Sequence, residues 1–173
     1  ESGAEGKKLQ KEIAAFCEEN HILLCGPNCI GVANMTDKFA AFSVAINPNL
    51  RTGGVSAVMQ SGAILMGLAN SARFGFRYLI SAGNQAVLDI SDYIGYLATD
   101  PETKVILAFV EGIPNAEKFV HAVRAAYQAK KPVLRLKVGR SEGAQRAVQA
   151  HIGSLAGSYS VLDAVLQKEG VIR

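Results

Sequence analysis

One segment of the chain combines a histidine with several glycines, serines and alanines. His151 lies in AHIGSLAGS, residues 150–158, between two helix-like segments. Glycine allows backbone conformations that are costly for other residues, and serine hydroxyls add hydrogen-bond donors with little bulk. Because imidazole titrates near neutrality, His151 is a candidate uncharged nucleophile, acid/base or metal ligand. The alternative is an ordinary loop histidine at a glycine-rich turn.

The elements that would position this histidine follow a regular alternation. Apolar runs predict strands at residues 55–59, 78–81, 105–110 and 133–138. Helical spacing predicts helices at residues 63–73, 89–97 and 115–129, the last capped by Asn115, and a final helix around residues 161–166. Continuously apolar strands that alternate with helices are typical of a parallel sheet covered on both faces. We therefore predict an α/β fold with a doubly wound parallel sheet.

The N-terminal part of the chain is less regular. Leu9, Ile13 and Phe16 have helical spacing, which predicts an amphipathic helix over residues 7–20. Residues 22–25 form an apolar run that Gly26 and Pro27 end, as expected of a buried parallel strand. Residues 33–52 show no clear period and predict an irregular connector with a domain junction.

Right-handed crossovers would place every strand-to-helix loop at the carboxyl edge of this sheet, where open α/β sheets bind ligands. Ser61 and Gly62 begin a helix directly after a strand, so free N–H groups and the helix dipole favour an anion there. Gly83 and Asn84 show a weaker version of the same pattern. Packing alone would also explain a glycine turn, and neither loop matches the P-loop or dinucleotide-binding motif.

Glu111 follows an apolar run of six residues and precedes a glycine. This position puts a carboxylate at the end of a central strand, where desolvation is costly without a partner. A histidine at the same edge would be such a partner, since a carboxylate bonded to one ring nitrogen leaves the other free to attack. The alternatives are that Glu111 caps the following helix or pairs with Arg140.

Composition and charge exclude several classes of function. The chain is 49% hydrophobic and 19% charged, which indicates a folded core. Its net charge of +3 is too small an excess of basic residues to indicate nucleic-acid binding. No apolar run reaches the ~20 residues that cross a bilayer. The three cysteines, Cys17, Cys25 and Cys29, are expected to be reduced thiols in a cytoplasmic protein, because an odd count gives no even disulfide framework. Cys25 and Cys29 have a spacing seen in some metal sites, but no second ligand pair follows.

Other candidate residues are less suitable for chemistry. His21 and His121 are predicted to be solvated surface residues, the first at a turn and the second on a helix. No nucleophile elbow of the form G-x-S-x-G occurs, so Ser-His-Asp hydrolysis has no support. The chain begins with Glu1 and not with methionine, and is expected to be a piece of a longer polypeptide.

Six segments carry a resemblance to a known family, and together they cover nearly the whole chain: GPNCIG, VMQSGAI, SAGNQAVLD, FVEGI, KPVLRLKVGRSE and AHIGSLAGS. In order and separation they resemble the nucleoside-diphosphate-forming acyl-CoA synthetases, relatives of the succinyl-CoA synthetase alpha subunit. The resemblance implies a flavodoxin-like domain over residues 35–173. Residues 1–34 are expected to be the C-terminal remnant of a Rossmann-like CoA-binding domain.

The resemblance also implies roles for individual residues. His151 would carry a phosphoryl group between a nucleotide site and a carboxylic acid, and Glu111 would hold that histidine. Phosphate would be bound by Ser61, Gly62, Ala63, Gly83 and Asn84. Asn28 and Cys29 would lie near the thiol of CoA. The product would be an acyl phosphate that CoA attacks.

The same resemblance implies partners and cofactors that lie outside this chain. CoA and ATP or ADP are the expected cofactors, with the nucleotide and Mg²⁺ bound mainly by an ATP-grasp domain or subunit. The chain is therefore expected to be part of an oligomeric enzyme, with no metal site of its own and no nucleic acid or membrane partner. The alternative is a regulatory module that senses acyl-CoA for a protein acetyltransferase. A flavodoxin-type FMN binder is disfavoured, because no loop has the hydroxyl-rich phosphate pattern followed by aromatic residues.

Overall fold

The computed structural model describes residues 3–71, 73–137 and 171–172. Within these ranges the chain forms four helices, α1 (Gly3–Glu19), α2 (Gly62–Asn70), α3 (Ile90–Thr99) and α4 (Ala116–Gln128). The strands are β1 (Gly31–Asn34), β2 (Phe39–Phe42), β3 (Thr52–Met59), β4 (Phe76–Ser81), β5 (Val105–Val110) and β6 (Val133–Lys137). From β3 to β6 every predicted strand and helix is confirmed, with ends that differ by a few residues.

The strands form one sheet in the order β2-β1-β4-β3-β5-β6. The four strands β3 to β6 are parallel, and residue Ile172 adds a further parallel bridge to Leu134 beside β6. The prediction of a doubly wound parallel sheet is confirmed for this part. β1 pairs antiparallel with both β2 and β4, so the whole sheet is mixed.

Two apolar cores lie on opposite faces of the sheet. On one face α3 and α4 bury large side chains against alternate residues of β3 to β6, including Ile94, Leu97, Ile106, Phe119 and Val123. On the other face α2 buries Leu65 and Ala69 against Met59, Leu79 and Phe109. Successive residues of a strand point to opposite faces, so strands buried on both sides must be apolar throughout. This is why β3, β4 and β5 lack polar alternation.

The prediction of a buried strand at residues 22–25 is wrong. Leu23 is 78% exposed, and the segment is an irregular connection. Its backbone groups bond to a loop, since the N–H of Leu88 donates to the Leu24 carbonyl at 3.2 Å and the N–H of Ala86 to the Gly26 carbonyl at 2.8 Å. The edge of β4 on this side is taken by β1, so the apolar run finds no strand to pair with.

Residues 33–52, predicted to be an irregular connector, contain β2 and end in β3. Gly31 makes the β1–β2 hairpin possible, because it has a φ of +111° and a Cβ there would lie 1.8 Å from the carbonyl oxygen of Ala41. β1 falls within the predicted segment 1–34 and yet shares its sheet with the rest of the chain. The division into two domains stays a prediction.

Helix α1 has the predicted type but not the predicted burial. Leu9 and Phe16 are 57% and 58% exposed, and Cys17 is its one buried side chain among the described residues. No helix of the described ranges is both long and apolar enough to span a membrane.

A buried guanidinium joins several elements at the amino edge of the sheet. Arg77 at the start of β4 is 7% exposed and lies 3.3 Å from the buried carboxylate of Asp100. It also donates to the side chain of Asn34 at 2.9 Å and pairs with Glu102 at 3.0 Å. Burial by itself would raise the pKa of Asp100, but hydrogen bonds from Thr103 and Arg77 outweigh it and lower the pKa below the ordinary carboxyl value.

Replacing Asp100 should strongly destabilise the fold. We expect Asp100→Ala to reduce the free energy of unfolding by about 3–5 kcal/mol, because it leaves a buried guanidinium poorly compensated. The matched control is Asp37→Ala, since Asp37 pairs with the same guanidinium but has a side chain that is 63% exposed. That control should cost at most about 1 kcal/mol. Urea unfolding of both variants measures the difference, and equal losses would contradict the assignment.

The lowered pKa of Asp100 gives this prediction a pH signature. A carboxyl whose folded pKa lies below its unfolded value stabilises the fold above the unfolded pKa, and this stability is lost as the pH falls through the folded pKa. The stability gap between the parent chain and Asp100→Ala should therefore shrink on acidification.

Candidate functional site

The carboxyl ends of β3, β4 and β5 lie level with one another. Met59 is in register with Ser81 of β4 and with Phe109 of β5, so the loops that follow leave the sheet side by side. This confirms the predicted common edge for the loops at residues 60–62, 82–85 and 111–113. The fourth loop, residues 139–141, lies outside the described residues, as do Arg140 and His151.

The first of these loops ends at the start of α2. Ser61 is the N-cap residue, and its Oγ accepts a hydrogen bond from the N–H of Ile64 at 3.4 Å. The hydroxyl proton of Ser61 can still be donated to a ligand. Because the first N–H groups of an α-helix have no acceptor within the helix, Gly62 and Ala63 present donors at its positive end. This arrangement suits a phosphoryl group.

A buried glutamine joins this loop to the loop that carries Glu111. Gln60 is 6% exposed, and its Oε1 accepts from the N–H groups of Glu111 and Gly112, the latter at 2.8 Å. Its Nε2 donates to the carbonyl oxygen of Gly112. The side chain of Glu111 itself is half-buried. No role for Gln60 is predicted from the sequence, although a polar residue directly after an apolar strand is the same signal that indicates Glu111.

The loop after β4 contacts the segment that contains Asn28 and Cys29. Gly83 has a φ of +59°, and a Cβ on it would lie 2.3 Å from the carbonyl oxygen of Pro27 and 2.8 Å from the Cβ of Cys29. Only a glycine fits this close approach without strain. Residues 27–29 therefore lie directly against the carboxyl end of β4.

Asn84 is fully engaged in holding these segments together. Its backbone N–H donates to the carbonyl oxygen of Pro27 at 2.8 Å, its side-chain amide to Gln10 of α1 at 3.0 Å, and its Oδ1 accepts from Asn28 at 3.2 Å. The next helix, α3, begins at Ile90, and the side chain of Asp89 caps it. Ser61, Gly62 and Ala63 lie at a helix start, whereas Gly83 and Asn84 do not. The phosphate-binding role of all five residues stays a prediction.

Ile30 and Ser81 connect the segment of residues 27–29 with the start of α2 and the end of β4. The N–H of Ile30 donates to Oγ of Ser81 at 3.2 Å, and a Cβ on Gly62 would lie 3.0 Å from the Ile30 side chain. Glu111 is therefore linked to Gln60 by a hydrogen bond, and Gly62 at the start of α2 packs against Ile30. Gln60 and Ile30 are the chain neighbours of Ser61 and Cys29, which completes the connection. The structure thus brings the described members of the predicted site to one edge.

The thiols of Cys25 and Cys29 lie 3.9 Å apart beneath this edge, and the thiol of Cys25 lies 3.4 Å from the carbonyl oxygen of Ser81. Burial, and then the neighbouring Cys25, raise the pKa of the Cys29 thiol above its ordinary value. Cys29 therefore stays a protonated thiol at neutral pH. Burial also raises the pKa of Tyr93, whose hydroxyl lies near Cys25. Among the described residues, no three His, Cys, Asp or Glu side chains are grouped so that they could hold a metal ion.

These features define a doubly wound α/β domain with the start of α2 at the carboxyl edge of its sheet, and comparisons with known proteins identify its family. Residues 52–173 match the family described as the succinyl-CoA ligase like flavodoxin domain. The chain is 36% identical over 175 residues to acetate–CoA ligase [ADP-forming] I of Archaeoglobus fulgidus, covering 99% of this chain and 25% of that protein. It is 35% identical to the alpha subunit of acetate–CoA ligase [ADP-forming] II of Pyrococcus furiosus, covering 99% of this chain and 37% of that subunit.

A solved structure agrees with these relatives. The dinucleotide forming acetyl-coenzyme A synthetase 1 of Ca. Korarchaeum cryptofilum, in complex with phosphate and ADP, superposes with a TM-score of 0.87 at 28% identity. The match covers 95% of this chain and 36% of that one. The chain belongs to the succinyl-CoA ligase like flavodoxin domain family. It spans only about a quarter to a third of the length of the proteins it matches.

The close contact at Gly83 predicts that Gly83→Ala moves the loop after β4 away from residues 27–29. A left-handed conformation costs a non-glycine residue roughly 1–2 kcal/mol, and the clash with the Pro27 carbonyl adds to this. We expect faster hydrogen exchange at the N–H of Asn84 and a lower free energy of unfolding. Gly67→Ala is the control, because a Cβ there meets nothing within 4 Å. Unchanged exchange at Asn84 in Gly83→Ala would contradict the contact.

The raised pKa of Cys29 predicts slow alkylation at neutral pH. The rate of reaction with iodoacetamide, followed by mass spectrometry of the Cys29 peptide, should reach half its maximum at a pH above the pKa of an ordinary cysteine thiol. Cys25→Ser should lower this midpoint, since it removes the neighbouring sulfur but leaves the burial. A midpoint at or below that of a solvent-exposed cysteine peptide would be inconsistent with the described environment.

Proposed function

We propose that this chain is the phosphohistidine-bearing part of an ADP-forming acyl-CoA synthetase, an acid–CoA ligase. One observation carries the proposal: Glu111, the helix start at Ser61 and the segment with Asn28 and Cys29 meet at one edge of the sheet. A carboxylate, a set of phosphate donors and a site for a thiol substrate are the groups that such a reaction needs. The relatives reported above are ligases of this type.

The proposed reaction has three steps, two phosphoryl transfers and one acyl transfer. The imidazole of His151 attacks the terminal phosphoryl group of ATP and releases ADP. A substrate carboxylate then attacks the phosphohistidine, which forms an acyl phosphate and frees the imidazole. The thiol of CoA attacks the acyl carbon, so that acyl-CoA forms and inorganic phosphate leaves.

Each site residue has a definite task in this scheme. Glu111 accepts a hydrogen bond from the N–H of one ring nitrogen and so presents the other nitrogen of His151 as the nucleophile. Ser61, Gly62 and Ala63 offer hydroxyl and backbone donors to the phosphoryl oxygens, whose charge is best stabilised by donors already in place. Gly83 and Asn84 complete this edge by holding the segment of residues 27–29 in place.

The residues near the expected CoA thiol fit a neutral sulfur ligand. The Cys29 thiol is half-buried, donates to the carbonyl of Cys25 at 3.6 Å and remains protonated, so it places no negative charge beside the thiol of CoA. Asn28 is exposed beside it.

CoA and ATP are the proposed cofactors, and an ATP-grasp domain or subunit would bind the nucleotide and Mg²⁺ and load His151. We place the assembled oligomeric enzyme in the cytoplasm, acting on a carboxylic acid.

The regulatory alternative is less well supported. An acyl-CoA sensor attached to an acetyltransferase needs no phosphate donors and no carboxylate to orient a histidine. The described edge has both Glu111 and the α2 start, and the relatives reported above are ligases. Synthesis of acyl-CoA therefore remains the proposal.

The test is to label the full-length enzyme with ATP that carries ³²P in its terminal phosphate. We expect acid-labile label on His151, loss of that label in His151→Ala, and about 10–100-fold slower labelling in Glu111→Gln, because the imidazole loses its orienting partner. Quenched-flow sampling with peptide mapping measures both effects.

Two exposed residues away from the edge give matched controls. His121→Ala in α4 and Glu18→Gln near the end of α1 remove the same kinds of group, and both should label at the parent rate. Label that persists in His151→Ala would overturn the proposal.

A further inference from the structure

Gln60 occupies an unusual position for a buried amide. It follows the last residue of β3 and precedes the N-cap residue of α2, so it links the central strand to the proposed phosphate donors. Its own N–H donates to the carbonyl of Phe109 at 3.2 Å, which continues the β3–β5 pairing by one step. Its side chain then hydrogen-bonds to the backbone of Glu111 and Gly112, just beyond the end of β5.

The carboxamide is matched to the backbone that it meets. Oε1 has two lone pairs and accepts from two N–H groups, those of Glu111 and Gly112, while Nε2 donates to the Gly112 carbonyl. One side chain therefore satisfies three backbone groups at the point where β5 becomes a loop. A backbone held at three points over two residues has little freedom to rotate, and the direction of the Glu111 side chain is set accordingly.

We propose that Gln60 is a positioning residue, which fixes Glu111 relative to the donors at the start of α2. This inference rests on the proposed function, because it concerns the distance between the carboxylate that would hold His151 and the groups that would hold its phosphoryl. Gln60 touches neither the substrate nor the reacting atoms. It acts through the backbone of Glu111 and through Ser61, its neighbour in the chain.

A buried hydrogen bond elsewhere on β3 provides a comparison. Oγ of Ser56 lies 2.8 Å from Oγ1 of Thr103, and both residues are fully buried. This bond also joins β3 to the chain that enters β5, but it lies toward the amino edge. A Ser56 variant should therefore lose stability without losing the position of Glu111, whereas a Gln60 variant should lose both.

The experiment uses the full-length enzyme and three variants, Gln60→Met, Gln60→Glu and Ser56→Ala. For Gln60→Met we expect His151 labelling from ATP to slow by about tenfold or more, the scale of losing a residue that orients a histidine through a second group. The KM for ATP should stay the same, since the proposed nucleotide site is on another domain. Ser56→Ala should label at the parent rate even where its thermal stability is lower.

Gln60→Glu gives a readout that a purely structural role would not move. An ionised carboxylate still accepts from both N–H groups but faces the Gly112 carbonyl without a proton to donate, and it adds a negative charge beside Glu111. The protonated carboxyl has the same donor and acceptor pattern as the amide. The labelling rate of Gln60→Glu divided by that of the parent enzyme should therefore rise as the pH is lowered.

The outcomes separate the two proposals. If the parent enzyme shows no acid-labile label on His151, the proposed function fails and the role of Gln60 fails with it. If the parent is labelled, then parent-like labelling of Gln60→Met, or a pH-independent ratio for Gln60→Glu, overturns the positioning role alone. Should Gln60→Met fail to fold, the pH dependence of the Gln60→Glu ratio still decides.

Discussion

The backbone of β3 is hydrogen-bonded on both sides, to β4 and to β5, in parallel register. This pairing is the constraint on which the site depends. Parallel strands in register end at the same level, so the chain leaves β3, β4 and β5 at adjacent points after Met59, Ser81 and Val110. Residues separated by about fifty positions in the sequence become neighbours for this reason. Apolar side chains on both faces keep the three strands from shifting relative to one another.

Polar groups at the amino edge of the sheet stabilise the fold, whereas those at the carboxyl edge form the candidate site. At the amino edge, Arg77 and Asp100 form a buried ion pair. Arg77 also donates a hydrogen bond to Asn34, and Asp100 accepts one from Thr103. Lys131 donates to the last carbonyl groups of α3 at the same edge. These groups satisfy one another. At the carboxyl edge, the α2 start keeps N–H groups and a serine hydroxyl directed outward, so this edge retains capacity for a ligand.

The antiparallel hairpin decides what lies beside that edge. Because β1 pairs with β4 through Gly31 and Ser81, the segment before it must run past the carboxyl end of β4. Pro27, Asn28 and Cys29 are therefore held against Gly83, and Ile30 is bonded to Ser81. A segment that belongs to the N-terminal part of the chain becomes part of the site without joining the parallel sheet.

The sequence by itself determined the parallel part of the fold and the type of its helices. Continuous apolar runs can be stable only between two covered faces, and caps such as Ser61 and Asn115 act through local hydrogen bonds that sequence patterns record. Glu111 was identified on the same ground, since a carboxylate after a buried strand needs a partner. Only the tertiary structure decided the role of Gln60, the hairpin and the fate of residues 22–25. These depend on contacts between distant segments: an apolar run becomes a strand only where another strand has a free edge, and a buried amide acquires a role only from the backbone that meets it.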